Sequence, residues 1–285
     1  MIRVGAVNYL NTKPLIEGLA GSSDEIELTL DLPSRLADQL ADGELDVGLI
    51  PVIEFFRAGS YSMIPNVAIA SRGPVLSVTL FSKVPWGEIR SVSLDEGSRT
   101  SAALTKILLS RAISRDADSS ERSAGTASAS RLIRFVQLPI DANPDDAGTD
   151  AVLLIGDRAM KACLPSHQYA YDLGQEWTDW TGLPMVFAVW AVREGVDLGS
   201  TESAFVRAKN YGLSKAGVLA AREATTLGLD SGYVRRYFTN IIRYDLGPAE
   251  LAGLNRFYQL AVQAGLAPEG VELATYHRPN LVACR

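Results

Sequence analysis

The sequence contains very few of the side chains that usually bind metals or form disulfides. Its 285 residues include two cysteines, Cys163 and Cys284, and two histidines, His167 and His277. Two cysteines cannot build a disulfide framework, and the histidines show neither the HxxxH nor the HExxH spacing of a zinc site. We therefore expect no metal ion and no redox cofactor.

A surplus of positive charge is also missing. The chain has 27 lysines and arginines against 33 aspartates and glutamates, which gives a net charge of −6. A nucleic-acid-binding protein needs a basic face to bind phosphates, so this class is excluded. An anionic ligand would have to be bound by a local site rather than by the field of the whole protein.

Long apolar runs are missing as well. No segment offers the roughly 18 consecutive apolar residues of a membrane span. The first fifteen residues contain two charged side chains and lack the apolar stretch of a secretory signal. We therefore expect no contact with a membrane and a cytoplasmic location. The 47% of hydrophobic residues is nevertheless enough for a proper core.

Short apolar runs alternate with helical patterns in the first fifty residues. Strands are predicted at Ile2–Val7, Ile26–Leu30 and Asp46–Ile50, and helices begin near Pro14 and at Pro33. This β-α-β-α-β order is typical of an α/β fold with a largely parallel sheet.

The middle of the chain is rich in predicted strands, among them Val75–Ser82 and Met185–Val192, and we expect the latter to return the chain to the first lobe. The end is helical, with helices predicted over Glu202–Thr226, Ser231–Ile241 and Pro248–Ala264. This order predicts two α/β lobes with a cleft between them. Residues 1–85 and 190–285 would form the first lobe, which includes the helical C-terminal part, and residues 86–189 would form an inserted second lobe. Clefts between lobes are favoured ligand sites. The segment Arg115–Ser130 has no periodicity, and we expect it to be a surface insertion.

Polar loops follow several of the predicted strands. Asn11 lies after the first strand and has no base beside it, and an asparagine there is most often a turn former or a helix cap. The Ser98-Arg99-Thr100-Ser101 segment opens a helix, where free N–H groups and hydroxyls could bind an anion or simply cap the helix. Because no GxxxxGK[ST] or GxGxxG motif is present, a carboxylate suits this segment better than a nucleotide phosphate.

Two further positions could face the cleft. Gly156 would let the backbone approach a ligand closely, and Asp157 could face the cleft or cap the helix that follows it. Ser77 lies in a predicted strand, where its small hydroxyl could point into the cleft or bond to a neighbouring carbonyl. Core packing is the favoured role for the aromatic residues Trp177, Trp180, Phe187 and Tyr237.

Six segments together resemble a known family. In order along the chain they are VGAVNYLNTKPL at 4–15, LPSRLADQLADGELDVGLIPVIE at 32–54, VLSVTLFSKVP at 75–85, LDEGSRTSAAL at 94–104, LLIGDRAM at 153–160 and YDLGQEWTDWTGLPMVFAVWAVR at 171–193. They are similar to the chorismate dehydratases of the futalosine route to menaquinone. The resemblance extends over most of the first two hundred residues.

The resemblance implies a type II periplasmic-binding-protein-like fold, in which a two-strand hinge joins the lobes. It also implies a lyase that dehydrates chorismate to 3-[(1-carboxyvinyl)oxy]benzoate without a cofactor or a metal. Asn11 would be the catalytic residue. Substrate would be bound by the remaining candidates, namely Ser77, Ser98, Arg99, Thr100, Ser101, Gly156 and Asp157.

The resemblance leaves the proton acceptor open. Asp157 is the acidic candidate in the matched segments, but a substrate dianion would repel it. Our hypothesis is that the enolpyruvyl carboxylate of the substrate removes the proton itself, while the enzyme positions and desolvates the substrate.

Three other functions remain open on the sequence, which also leaves the oligomeric state undetermined. The first is a solute-binding protein for a small carboxylate, because fold alone does not decide function. The second is the later dihydroxynaphthoate-forming enzyme of the same pathway, which would need a histidine base. The third is a ligand-sensing regulator domain, although no helix-turn-helix accompanies it.

Overall fold

The computed structural model of the chain describes residues 1–19, 25–120 and 132–277, without the side chains of 112–120. The strands in chain order are β1 (Ile2–Val7), β2 (Ile26–Asp31), β3 (Val47–Pro51), β4 (Ser62–Ser71), β5 (Val78–Ser82), β6 (Ser91–Asp95), β7 (Arg134–Leu138), β8 (Ala151–Ile155), β9 (Tyr169–Asp172), β10 (Met185–Val192) and β11 (Ile242–Arg243). The helices are α1 (Lys13–Ile16), α2 (Pro33–Ala41), α3 (Val52–Ala58), α4 (Arg99–Ser120), α5 (Gly156–Met160), α6 (Leu173–Thr181), α7 (Glu202–Ser214), α8 (Ala216–Leu227), α9 (Ser231–Arg236) and α10 (Pro248–Gln263).

The first sheet has six strands in the order β11-β4-β10-β3-β1-β2. Strand β1 pairs in parallel with both β2 and β3, which confirms the predicted β-α-β-α-β start. Strand β10 runs antiparallel between β3 and β4. The prediction that Met185–Val192 returns the chain to the first sheet is therefore confirmed.

The second sheet has five strands in the order β7-β6-β8-β5-β9. Strand β6 pairs in parallel with β7 and β8, and β5 runs antiparallel to β8 and β9. All five strands lie in the chain between β4 and β10. The chain therefore leaves the first sheet after β4 and returns to it at β10, and these two strands are neighbours in that sheet.

Sheet membership differs from the predicted lobe boundaries at two strands. Strand β5 belongs to the second sheet, although residues 1–85 were expected in the first lobe. Strand β10 lies entirely in the first sheet, although the expected boundary at 189–190 would divide it. We propose that the chain changes lobe between Ser71 and Val78 and again between Asp172 and Met185.

Some elements differ in length from their predictions. Strand β5 begins at Val78 rather than Val75, because Leu76 adopts a left-handed conformation with φ of +62° and Asp172 accepts its N–H group. The helix predicted over Glu202–Thr226 is two helices that meet at Lys215. The helix predicted over Ser231–Ile241 changes into a π-helical turn at Tyr237–Ile241.

The expected insertion at Arg115–Ser130 is a helix in its first part, because α4 continues to Ser120. Residues 121–130 of this segment lie outside the described part of the chain.

Large aromatic side chains fill the core beside the first sheet. Trp177 is fully buried and makes an edge-to-face contact with Phe257 at a centroid distance of 6.0 Å. Trp190 makes a similar contact with Phe205 at 5.0 Å. Truncating such a residue to alanine typically costs about 3–5 kcal/mol of stability. Core packing is thus the role of Trp177, as predicted, whereas Phe187 also lines the cavity between the sheets.

Candidate active site

A cavity lies between the two sheets and contains about 540 Å³ of empty space, part of it open to solvent. Clefts between two lobes are favoured sites for small molecules. Seven of the eight predicted site residues line it, namely Asn11, Ser77, Ser98, Arg99, Thr100, Ser101 and Gly156. The other lining residues are Val7, Tyr9, Pro33, Pro51, Ile69, Val75, Val78, Gly97, Ile155, Phe187 and Ala188.

The first turn of α4 forms one end of the cavity. The N–H group of Ala102 donates to the carbonyl of Ser98 at 3.1 Å, which is the first backbone bond of this helix. The N–H groups of Arg99, Thr100 and Ser101 precede it and have no partner within the helix. Such a helix N-terminus favours a negative charge, because unpaired N–H groups and the helix dipole point at it.

Asn11 lies in the 3₁₀ turn Leu10–Thr12, which directly follows β1 and the loop residues Asn8 and Tyr9. The Thr12 hydroxyl donates to Asn11 Oδ1 at 3.2 Å. Within the described part of the chain, Asn11 Nδ2 makes no hydrogen bond. The carboxamide therefore keeps two N–H donors for a ligand in the cavity.

Ser77 is nearly fully buried and is bonded on two sides. Its carbonyl accepts the N–H group of Gly156 at 2.8 Å. Its hydroxyl accepts the phenol of Tyr237 at 2.7 Å and lies 3.4 Å from the carbonyl of Val75. The first two bonds fix the backbone and the side chain of Ser77 at the cavity wall.

Thr100 repeats this pattern at the start of α4. Its hydroxyl accepts the N–H group of Ile53, which belongs to the first turn of α3, at 3.3 Å. The hydroxyl oxygens of Ser98 and Ser101 make no hydrogen bond to any residue that the structure describes. In Asn11, Ser77 and Thr100 a protein donor already occupies an acceptor atom, so the cavity offers mainly hydrogen-bond donors. A carboxylate, which is an acceptor only, complements such a surface.

Arg99 lines the cavity, but its guanidinium group is engaged elsewhere. It donates two hydrogen bonds to Asp38 of α2, at 2.8 and 2.7 Å, and lies 3.5 Å from Glu54 of α3. These carboxylates belong to helices of the first sheet, whereas α4 follows the second. Arg99 thus connects the two halves of the molecule, and its predicted role in binding substrate stays a prediction.

Asp157 is the predicted site residue that does not line the cavity. Its carboxylate accepts the N–H group of Leu10 at 2.9 Å, so it holds the turn that carries Asn11. It does not cap α5, because it lies within the first turn of that helix and accepts from another segment. Burial raises the pKa of Asp157, and the bond from Leu10 opposes this shift.

Tyr9 lines the cavity, although the sequence did not predict it as a site residue. Its ring lies against Gly156, where an added Cβ atom would be 2.9 Å away, and Gly156 has a φ of +58°. Both observations explain the glycine at this position. Burial raises the pKa of the Tyr9 phenol, and the nearby carboxylates of Asp95 and Asp157 add to this effect. The phenol therefore keeps its proton at neutral pH.

Asp95 is buried behind the first turn of α4. Its carboxylate accepts the N–H group of Gly97 at 3.0 Å and lies 3.4 Å from the guanidinium group of Arg158. Burial raises the pKa of Asp95, although both partners oppose the shift. Asp95 therefore shapes the turn before α4 and does not line the cavity.

Tyr237 is a second residue whose contact with the site was not predicted from the sequence. The helical spacing predicted a core position, and its side chain is indeed buried. Its partner Ser77 lies 160 residues earlier in the chain. Tyr9 could have been found from its place beside Asn11, whereas no local pattern connects Tyr237 with Ser77.

The described residues include no group of three or more histidine, cysteine, aspartate or glutamate side chains that could hold a metal ion. No helix in the described ranges is long and apolar enough to cross a membrane.

The fold class follows from a likeness to a solved structure. The periplasmic aliphatic sulphonate-binding protein SsuA of Escherichia coli superimposes with a TM-score of 0.60 and 16% sequence identity, over 97% of this chain and 92% of that one. The chain therefore has the periplasmic-binding-protein fold, as the sequence predicted. Because the identity is so low, this likeness concerns the fold alone.

The family follows from the sequence itself. A family model described as menaquinone biosynthesis matches residues 2–263, and the chain belongs to this family. A chorismate dehydratase of Thermus thermophilus is 29% identical over 272 residues, which cover 89% of this chain and 93% of the relative. A chorismate dehydratase of Campylobacter jejuni is 24% identical over 270 residues, which cover 92% and 99% respectively.

Proposed function

We propose that the protein dehydrates chorismate to 3-[(1-carboxyvinyl)oxy]benzoate as a step of menaquinone biosynthesis. Membership of the menaquinone biosynthesis family and the two chorismate dehydratases among its relatives support this activity. The observation that carries the proposal is the cavity, in which Asn11, Ser77 and the first turn of α4 present donors to a ligand. Chorismate carries two carboxylates and a ring hydroxyl, which suit these donors.

The reaction removes the ring hydroxyl and the hydrogen on the neighbouring ring carbon. The C–H and C–O bonds break, the electron pair of the C–H bond completes the aromatic ring, and the hydroxyl leaves together with the removed proton as one molecule of water. Aromatisation supplies a driving force, so the protein has to bind, orient and desolvate the substrate. In our proposal Asn11 Nδ2 donates to the departing hydroxyl or to an adjacent carboxylate, and the N–H groups that open α4 bind a carboxylate.

The composition of the cavity lining supports the substrate as its own base. Among the residues that the structure describes, the lining of the cavity includes no aspartate, glutamate, histidine, lysine or cysteine. Asp157 already accepts the N–H group of Leu10. We therefore propose that the enolpyruvyl carboxylate of chorismate takes the ring proton while the protein holds the two groups close together.

The position of the histidines disfavours the dihydroxynaphthoate-forming enzyme. His167 is buried, and its Nδ1 lies 3.2 Å from Asp145, in a loop away from the cavity. His277 lies near Thr275 on the surface and does not line the cavity either. Neither imidazole is placed to act as a base on a ligand between the sheets.

One experiment separates the dehydratase from the solute-binding alternative. Purified protein is incubated with chorismate, and the ultraviolet spectrum and the product mass are followed. We expect a product that has lost one water, whereas a sample of Asn11→Ala protein purified identically should leave chorismate unchanged. Binding of chorismate without conversion would favour the solute-binding protein and reject the proposed activity.

A biosynthetic enzyme that consumes a metabolite of the cell would work in the cytoplasm, and we propose this location. Cell fractionation with an antibody against the protein tests it, and recovery from an extracytoplasmic fraction would reject it.

A further inference from the structure

Tyr237 is buried in the core, and its phenol oxygen connects it to Ser77 at the cavity wall. Its side chain is 1% exposed, and its phenol donates to the Ser77 hydroxyl at 2.7 Å. It is the first residue of the π-helical turn Tyr237–Ile241, at the end of α9. Such turns are rare and are often found at functional sites.

The bond from Tyr237 determines what Ser77 can do. A phenol has a single hydrogen, and burial raises the pKa of Tyr237, so this hydrogen stays on the phenol and points at Ser77. The hydroxyl of Ser77 must then direct its own hydrogen elsewhere. Among the described residues it donates to the carbonyl of Val75, at 3.4 Å, which is long for an O–H···O bond.

We propose that Tyr237 is a positioning residue that orients the Ser77 hydroxyl as a donor toward a substrate carboxylate in the cavity. This inference rests on the proposed function for the identity of the ligand. Without Tyr237 the Ser77 hydroxyl would rotate freely between donor and acceptor orientations. With Tyr237 in place, an acceptor in the cavity competes for the hydrogen of the Ser77 hydroxyl only with the distant carbonyl of Val75.

The surroundings of Ser77 separate this role from a merely structural one. The N–H groups of Val75 and Leu76 donate to Asp172 at 3.0 and 2.7 Å, and the carbonyl of Ser77 accepts from Gly156. These bonds hold the backbone of Ser77 without any contribution from Tyr237. Removing the phenol oxygen should therefore change the orientation of one hydroxyl and leave the backbone in place.

Tyr244 provides a matched control. It is also a buried tyrosine. Burial raises the pKa of its phenol, and the nearby Tyr237 raises that pKa further. The Tyr244 hydroxyl has no hydrogen-bond partner in the described residues. Tyr244→Phe thus removes the same atom from the same part of the core without touching Ser77.

The test compares KM and kcat for chorismate in the wild type, Tyr237→Phe, Ser77→Ala, the double variant and Tyr244→Phe. We expect Tyr237→Phe to raise KM about fivefold, which is the effect expected when one oriented hydrogen bond to the substrate is lost, and to leave kcat nearly unchanged. Ser77→Ala should raise KM at least as much, and the double variant should match Ser77→Ala, because Tyr237 acts only through Ser77. Tyr244→Phe should keep the wild-type values.

Three results would overturn the inference: a wild-type KM in Tyr237→Phe, additive effects in the double variant, or equal effects of Tyr237→Phe and Tyr244→Phe. Failure of the proposed function is recognised separately, because the wild type would then not convert chorismate. In that case the same five proteins are compared by calorimetric titration with chorismate. A wild type that neither converts nor binds it rejects both proposals.

Discussion

The two walls of the cavity differ in their chemistry. The wall from the first sheet and its loops, here the first wall, is mostly apolar, with Tyr9 and Asn11 as its polar side chains. The wall from the second sheet and α4, here the second wall, contains every serine and threonine that lines the cavity. The apolar members of the first wall are Val7, Pro33, Pro51, Ile69, Phe187 and Ala188.

This difference suggests a division of labour for a ligand that has a ring and carboxylates. Apolar surface around the ring excludes water, which strengthens every polar contact inside the cavity. Donors on the second wall bind the charge, and a single carboxamide from the first wall reaches the reacting groups. The predictions below test this division, from the largest expected effect to the smallest.

Asn11→Asp should abolish chorismate turnover almost as fully as Asn11→Ala, with a loss of at least about a thousandfold, roughly 4 kcal/mol in activation free energy. Aspartate has nearly the same shape, but it cannot donate when ionised and adds negative charge beside a dianion. Turnover and thermal melting of both variants provide the measurement. If Asn11 only forms the turn, Asp should substitute well, and an active Asn11→Asp enzyme would contradict the proposed division.

On the second wall, Ser101→Ala should raise KM more than it lowers kcat. A hydrogen bond to a charged group is worth about 1.5–3 kcal/mol, and a bond made equally in ground and transition states appears mainly in KM. The matched control is Ser93→Ala, because Ser93 is equally buried but bonds to Thr149 away from the cavity. Chorismate binding by calorimetry that is unchanged in Ser101→Ala would remove this hydroxyl from the site.

Asp46 allows stability to be separated from the chemistry of the walls. It accepts three hydrogen bonds from Arg3 and one from Arg193, and these bonds lower its pKa from the usual 3.8 to about 2, although burial opposes the shift. A carboxyl group whose pKa is lowered on folding stabilises the fold at pH values above its pKa in the unfolded chain. This contribution disappears as the pH falls through its pKa in the folded protein.

At neutral pH, the free energy of unfolding of the wild type should therefore be about 2 kcal/mol higher than that of Asp46→Asn. The difference should shrink between pH 4 and pH 2, as urea titrations across this window would show. Turnover at pH 7 should stay unchanged, because Asp46 does not line the cavity. A difference that is constant over this pH range would contradict the assigned pKa shift.

Asp157→Asn should keep measurable turnover, reduced by less than about tenfold, since an amide oxygen can still accept the N–H group of Leu10. Asp157→Ala should cost more, because it leaves that N–H group without a partner beside the turn that carries Asn11. A comparison of kcat for the two variants checks this order. Complete loss of turnover in Asp157→Asn, with the fold intact by thermal melting, would reject the substrate-assisted mechanism.

The sequence predicted the features that depend on local patterns. The strands of the first fifty residues follow from short apolar runs between helical patterns, and the start of α4 follows from Gly97 and the hydroxyl residues after it. Because the loops after such strands meet at one edge of a sheet, the lining of the cavity was largely predictable.

What the sequence could not predict depends on contacts between distant segments. The left-handed conformation of Leu76 exists because Asp172, almost a hundred residues later, binds two successive N–H groups. The partner of Ser77 lies in the π-helical turn after α9, and the partner of Arg99 is a carboxylate 61 residues earlier. The resemblance predicted Arg99 as a substrate-binding residue, whereas the tertiary structure directs its guanidinium group to Asp38.

The smallest effect is expected for the ion pair between Arg99 and Asp38, which connects the halves that carry the two walls. Asp38 is 59% exposed, and a pair of this kind is worth about 0.5–1 kcal/mol and weakens with salt. Arg99→Ala and Asp38→Asn should therefore raise KM for chorismate by the same small factor, about two- to fivefold, and high salt should bring the wild type closer to both. If Arg99 binds a substrate carboxylate directly, Arg99→Ala alone should raise KM strongly, because Asp38→Asn keeps the guanidinium group in the protein. Steady-state kinetics of the two variants at low and high ionic strength distinguish a connection between the walls from a contact with the substrate.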